Sequence, residues 1–497
     1  MTEDRRDSLA EVVASGEGLD SRILRGSAWV AVSYGGRNMV SLLTTLVLVR
    51  LLEPKAFGLV ALAWTVLVVC DQIQSAGTAS AFVFRRHDVE RAAASAAVFS
   101  FVSAFALFGV AVAVAPLVAD AFHTPALTGV LRVLALLLIV NSVGVAPLAI
   151  LERNIDFRTR AKCELTGALA QGGVSLGFAF SGWGVWSIVF GMLAGSAVQS
   201  SVAWVVAPWR PNLRLASFRV MRELVRYGRY VSATNIVNLA NNTVDNVVVG
   251  RLLGASTLGF YTVGFRLADF PNTVIGHVVG RVMFPVYSLL QDEAERFRRA
   301  YIQNLQRVAL FALPVSVTVL IAADPIVHAL LGARWEPTIT PLRILGAYGL
   351  LKSFSAPSGE VFKGAGKPHL GLLLGLLQIA IAVPALFLLV PARGITGAAL
   401  GMFLTMAVCG SIRFVVSLRL LDASLAEVAR SLAPSVLCAG VLAATLALLM
   451  PATESLGDAG GLAVLVAGGA LAYVAATLAF ARSIVGPMWG GLRGVGA

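Results

Sequence analysis

The chain has 497 residues, 57% of them hydrophobic and 13% charged, with a formal net charge of +12. Soluble domains are about half apolar and about a quarter charged, which excludes a string of ordinary soluble domains. A nucleic-acid binder is excluded as well, because the basic residues are scattered through short connections between apolar runs and form no single patch.

Residues 1–25 are polar, with Glu3, Asp4, Arg5, Arg6, Asp7, Glu11 and Glu17 among the first twenty. They read as a disordered cytoplasmic tail, with no secretory signal. From there the hydropathy predicts an all-α polytopic membrane protein of about 14 transmembrane helices, each about 20 residues or longer and able to cross ~30 Å of hydrocarbon. In chain order the expected spans are 27–49, 56–82, 92–118, 127–151, 163–181, 184–207, 228–250, 256–285, 307–331, 338–361, 369–390, 394–418, 431–450 and 460–481.

With the N-terminus placed inside, the inner connections and the first residues of the spans they lead into carry 27 of the 39 Lys and Arg residues. The outer ones carry five: Arg50, Lys55, Arg251, Arg334 and Arg393. This positive-inside asymmetry predicts an even number of crossings and both termini in the cytoplasm. The inner connections 208–227 and 287–306 are basic and are expected to lie on anionic lipid. The outer loops are too short to fold as domains. Cys70, Cys163, Cys409 and Cys438 are far apart in or beside apolar runs and read as packing residues, so neither a metal site nor a cofactor is expected.

The chain also repeats itself. The segment 50–58, Arg-Leu-Leu-Glu-Pro-Lys-Ala-Phe-Gly, matches Arg-Leu-Leu-Gly-Ala-Ser-Thr-Leu-Gly at 251–259, an offset of 201 residues. Leu131-Arg132-Val133-Leu134 matches Leu342-Arg343-Ile344-Leu345, and Gly184-Val185, Gly191 and Met192 match Gly394-Ile395, Gly401 and Met402. Spans 1–6 and 7–12 therefore read as two parallel six-helix repeats, the kind of duplication that places a binding site at mid-membrane between its halves. The expected organisation is an N-lobe at 26–208, a cytoplasmic linker at 209–227, a C-lobe at 228–420, and two extra helices with a short cytoplasmic tail at 421–497.

This arrangement resembles the Wzx-like polysaccharide flippases of the MOP superfamily. The two repeated turns carry the likeness, together with Tyr227-Gly228, Phe284-Pro285 and the run Gly359-Glu360-Val361-Phe362-Lys363-Gly364-Ala365-Gly366-Lys367-Pro368. The resemblance implies two lobes around a central cavity, alternating access, and a polyprenyl-diphosphate-linked oligosaccharide as the passenger. It also implies a place in surface polysaccharide biosynthesis, with membrane lipid, a polysaccharide polymerase and glycosyltransferases as partners.

Polar side chains inside the spans are costly in lipid and mark wet or protein-facing positions. In span 1, Tyr34, Arg37, Asn38, Ser41 and Thr45 share one helical face, as do Asn235, Asn238, Asn242 and Asp245 in span 7. The 201-residue offset superposes Arg37 on Asn238, Ser41 on Asn242 and Thr44 on Asp245. Span 8 adds Arg266, Asp269, Thr273, His277 and Arg281; span 2 adds Asp71 and Gln74; span 10 adds Lys352 and Glu360.

Arg37 and Arg266 are candidates to hold the diphosphate, since guanidinium pairs well with phosphate oxygens. Asn38, Ser41, Gln74, Asn235, Asn238 and Asn242 are candidates to line the cavity. Asp71, Asp245, Asp269 and His277 are candidates for ion coupling. Structural readings stand beside these: Arg266 and Asp269 could neutralise each other at i and i+3, and the asparagines could be interhelical glue. The competing functions are a peptidoglycan lipid-precursor flippase and a drug/cation antiporter of the same superfamily. An excess of basic over acidic groups within the spans disfavours the antiporter. A membrane-embedded polymerase or ligase would need catalytic groups on a larger outer loop, and no nucleophile triad stands out.

Overall fold

The computed structural model describes residues 17–75, 89–154, 156–207 and 213–481. The end of the expected second span (76–82), the first linker residues (209–212) and both chain ends lie outside the described residues. Within them the chain is helical with no strand, as it must be where no water is present to satisfy an open backbone. The helices are α1 Glu17–Leu51, α2 Pro54–Ser75, α3 Val89–Ala121, α4 Ala126–Leu134, α5 Leu136–Arg153, α6 Phe157–Phe180, α7 Val185–Val206, α8 Phe218–Leu289, α9 Ala294–Ile321, α10 Ile339–Gly364, α11 Pro368–Leu420, α12 Leu425–Thr453 and α13 Gly457–Phe480. Nine helices among the described residues are long and apolar enough to cross a membrane.

Two differences from the sequence reading concern where helices begin. α1 starts at Glu17, so residues 17–25 are helical where a tail was expected. α8 starts at Phe218, so most of the expected linker is continuous with the helix that follows. The expected spans 7 and 8 are the two arms of α8, broken at Gly254 (φ +82°). Spans 11 and 12 are likewise the arms of α11, broken at Gly394 (φ +58°). Glycine occupies both breaks because a Cβ is strained at such φ values.

The chain forms two compact units. Among the described residues, one comprises 17–48, 66–75, 89–115, 129–154, 156–207 and 213–235; the other comprises 49–65, 116–128 and 236–481. In the first, α6 and α7 pack closely through small residues. A Cβ on Gly167 would lie 2.9 Å from the Gly195 carbonyl oxygen, and a Cβ on Gly195 would lie 2.9 Å from that of Gly167. Backbones this close gain dispersion contacts and need no large side chains, the usual solution where lipid removes the hydrophobic drive between helices.

In the second unit, α12 and α13 pack on α9. Leu442, Leu446 and Leu465 are buried with Ala322, and the Tyr473 hydroxyl donates to the Leu310 carbonyl at 2.6 Å. Their other faces expose Leu437, Leu448, Leu471 and Leu478, as a lipid-facing surface requires. The four cysteines are buried and unpaired.

Candidate functional site

In the first unit the polar side chains expected on span 1 lie along α1. The Arg37 side chain is exposed, while Asn38 and Ser41 are half-buried. The Asn38 amide donates to the Tyr34 carbonyl at 2.7 Å, and Thr45 donates to that of Ser41 at 2.7 Å. These local bonds satisfy the short side chains within their own helix. Arg37 is too long to be neutralised that way. Asp71, on α2, is exposed as well.

Gln74 departs from the expectation that it lines a wet wall. It is buried, and its amide nitrogen donates to the carbonyls of Ser100, at 3.4 Å, and Leu138, at 3.2 Å. It ties α2 to α3 and α5, because a buried amide must find acceptors.

In the second unit, Asn238 and Asn242 on α8 are exposed, and the Asn242 amide donates to the Asn238 carbonyl at 2.9 Å. Asn235, at the end of the first unit, is half-buried. Asp245 is buried: its carboxylate accepts from the Tyr261 hydroxyl at 2.8 Å and from the Asn246 N–H at 2.9 Å. A neighbour that the sequence did not single out, Asn241, is buried too, and donates to the Val237 and Gly375 carbonyls at 3.0 Å each. It binds α8 to α11.

On the other arm of α8, beyond the break at Gly254, Arg266 is exposed and Asp269 half-buried. The Lys352 ammonium, from α10, donates to both Asp269 carboxylate oxygens, at 3.0 and 3.1 Å. It also lies 5.9 Å from the Phe265 ring centroid and 5.7 Å from that of Tyr348, where the ring faces attract a cation. Lys352 was visible in the sequence only as a costly mid-span charge. Its partner lies 83 residues away, and the cost itself was the signal that some acid had to meet it. The side chain of His277 lies outside the described residues. No group of three or more His, Cys, Asp or Glu that could hold a metal is present among the described residues.

A helical membrane protein with cationic and amide side chains set into apolar helices belongs to the class of multi-pass carriers. The model of a family described as "Polysaccharide biosynthesis protein" matches residues 47–340, and the chain belongs to that family. It is 23% identical over 389 residues to the lipopolysaccharide biosynthesis protein WzxC of Escherichia coli, covering 78% of this chain and 79% of that one. It is 27% identical over 351 residues to the succinoglycan biosynthesis transport protein ExoT of Rhizobium meliloti, covering 69% and 70%. Among solved structures, the lipid II flippase MurJ in an inward closed conformation shares the fold with a TM-score of 0.73 at 14% identity, covering 91% of this chain and 99% of that one.

Proposed function

We propose that this chain is a flippase that moves a polyprenyl-diphosphate-linked oligosaccharide across the bacterial cytoplasmic membrane for surface polysaccharide biosynthesis. It is a transporter, not an enzyme. The relatives named for lipopolysaccharide and succinoglycan biosynthesis extend over most of the chain and favour this reading over the antiporter. They favour it over the peptidoglycan precursor flippase too, since the likeness to MurJ is one of fold. The structural observation that carries the reading is the exposed Arg37 beside Asn38 and Ser41, inside the stretch of α1 that the sequence reads as span 1.

The chemistry follows from the passenger. Its sugar hydroxyls lose water on entering hydrocarbon, at roughly 4–8 kcal/mol each when unsatisfied. Asn38, Ser41, Asn235, Asn238 and Asn242 offer replacement hydrogen bonds. Arg37 and Arg266 offer forked donors to the diphosphate, and the polyprenyl tail stays in lipid. Asp71, Asp245, Asp269 and His277 remain the candidates for coupling to an ion, with Lys352 now added as the partner of Asp269. Both termini face the cytoplasm, and glycosyltransferases and a polymerase act before and after the transfer.

The test is Arg37→Ala in a strain whose surface polymer depends on this chain. We expect polymer to disappear, lipid-linked oligosaccharide to accumulate inside, and the protein to reach the membrane in normal amount. Normal polymer in that strain would remove Arg37 as the anchor.

A further inference from the structure

The two repeated turns hold one another in a reciprocal clasp. Gly58 and Gly259 are equivalent under the 201-residue offset, as are Pro54 and Ala255. A Cβ on Gly58 would collide with the Ala255 carbonyl oxygen, and a Cβ on Gly259 would collide with that of Pro54. Each glycine thus receives a backbone carbonyl from the other repeat, at a distance only hydrogen permits.

The equivalent arginines repeat the exchange. Arg50 donates through Nε to the Leu330 carbonyl at 2.9 Å and through Nη2 to the Ala329 carbonyl. These carbonyls belong to the corner that follows α9. Arg251 donates through Nη1 to His123 Nε2 at 2.6 Å. His123 lies in the corner that follows α3, so each arginine reaches the matching corner of the other repeat.

Trp335 closes the centre. It is fully buried, between Phe57 at 5.6 Å and Phe260 at 5.4 Å, and its indole N–H donates to the Val49 carbonyl at 3.1 Å. Deeper in α2, the fully buried Leu62 packs where a Cβ on Gly250 would stand.

From this geometry we infer that the two turns form a gate that is shut in this structure, sealed by backbone-on-glycine contact and latched by Arg50 and Arg251. The inference rests on the transporter reading, which requires access from alternate sides. The gate is on the outer side, because Arg50, Lys55, Arg251 and Arg334 are among the five basic residues of the sparsely charged face. Two equivalent devices related by the repeat release together. Neither turn can withdraw its carbonyl without uncovering the other's glycine, and this makes the opening an all-or-none step. A methyl group at either glycine forbids the shut state without touching the passenger site, and therefore shifts the population toward the outward-open form.

The experiment reads this directly. Leu62→Cys is placed in a chain whose native cysteines are replaced by alanine, and intact cells are treated with a membrane-impermeant maleimide. We expect little labelling with both glycines in place, and labelling faster by at least about tenfold with Gly58→Ala or Gly259→Ala. Arg50→Gln with Arg251→Gln adds no atoms to the seal and should raise labelling by a smaller factor, which keeps the test sound if an alanine variant fails to accumulate. Rapid labelling in the parent, or no increase in the arginine double variant and in whichever glycine variants accumulate, would overturn the gate. The transporter reading is judged separately, by polymer export in the same strains. Export lost with labelling unchanged removes the gate alone, and labelling increased with no dependence of polymer on the chain removes the transport reading alone.

Discussion

Lys352 and Asp269 show how a charge is kept inside an apolar helix bundle. The ammonium is shared by two carboxylate oxygens and two ring faces, with the side chains 22% and 15% exposed. Removing one partner strands the other in a poor solvent for ions. Losing half of a fully buried pair costs about 3–5 kcal/mol, and the remaining exposure here lowers that to about 1–3 kcal/mol. Lys352→Gln and Asp269→Asn should each lower the thermal midpoint of the purified protein, and the two together should recover most of the loss. A double variant as unstable as the sum of the singles would mean that the pair is not mutually neutralising. The same balance bears on transport. An acid already neutralised by a lysine on another helix can release that lysine to an arriving phosphate, and the pair would then be a site of exchange as well as of stability.

At the scale of the helix, small residues decide how close two backbones come. The mutual approach of Gly167 and Gly195 leaves 2.9 Å between each would-be Cβ and the opposing carbonyl oxygen, so Gly195→Val must push α6 and α7 apart. Overpacking of this kind costs typically about 1–3 kcal/mol. We expect lower accumulation in the membrane and a lower thermal midpoint, while Gly173→Ala on α6, which meets open space, should be neutral.

Helices were the most legible part of the sequence. Hydropathy placed the apolar runs, but that spans 7 and 8, and 11 and 12, would join as single helices broken at Gly254 and Gly394 was not read from it. Helix starts were less legible: Glu17 and Phe218 lie in polar stretches that are helical through continuity with the apolar run that follows. Side-chain exposure was legible only where one helix suffices to define it. The exposed faces at Arg37 and Asn242 follow from spacing along a single helix. The burial of Gln74 and the union of Lys352 with Asp269 depend on neighbours 26 to 83 residues away, which no periodicity encodes.

For the molecule as a whole, charge relates topology to driving force. A diphosphate carrying about −2 that leaves a negative interior gains roughly 4–5 kcal/mol per 100 mV, at about 2.3 kcal/mol per charge. Collapsing the membrane potential in vesicles that hold this protein and a fluorescent lipid-linked saccharide should slow flipping severalfold, unless cationic groups move with the passenger. An unchanged rate would mean that the field does no net work on the transfer, and would leave the acidic residues of α2 and α8 as the route by which an ion gradient acts.

The contact of Gly58 and Gly259 with carbonyl oxygens has a consequence for how this chain can vary. A crowded side chain can be relieved by a smaller neighbour elsewhere, so most packing positions drift in pairs. A peptide oxygen cannot be made smaller by any codon change. Second-site suppressors of a substitution at either glycine must therefore act by displacing a whole turn, and genetic screens starting from such alleles would return changes in hinges instead of in touching residues.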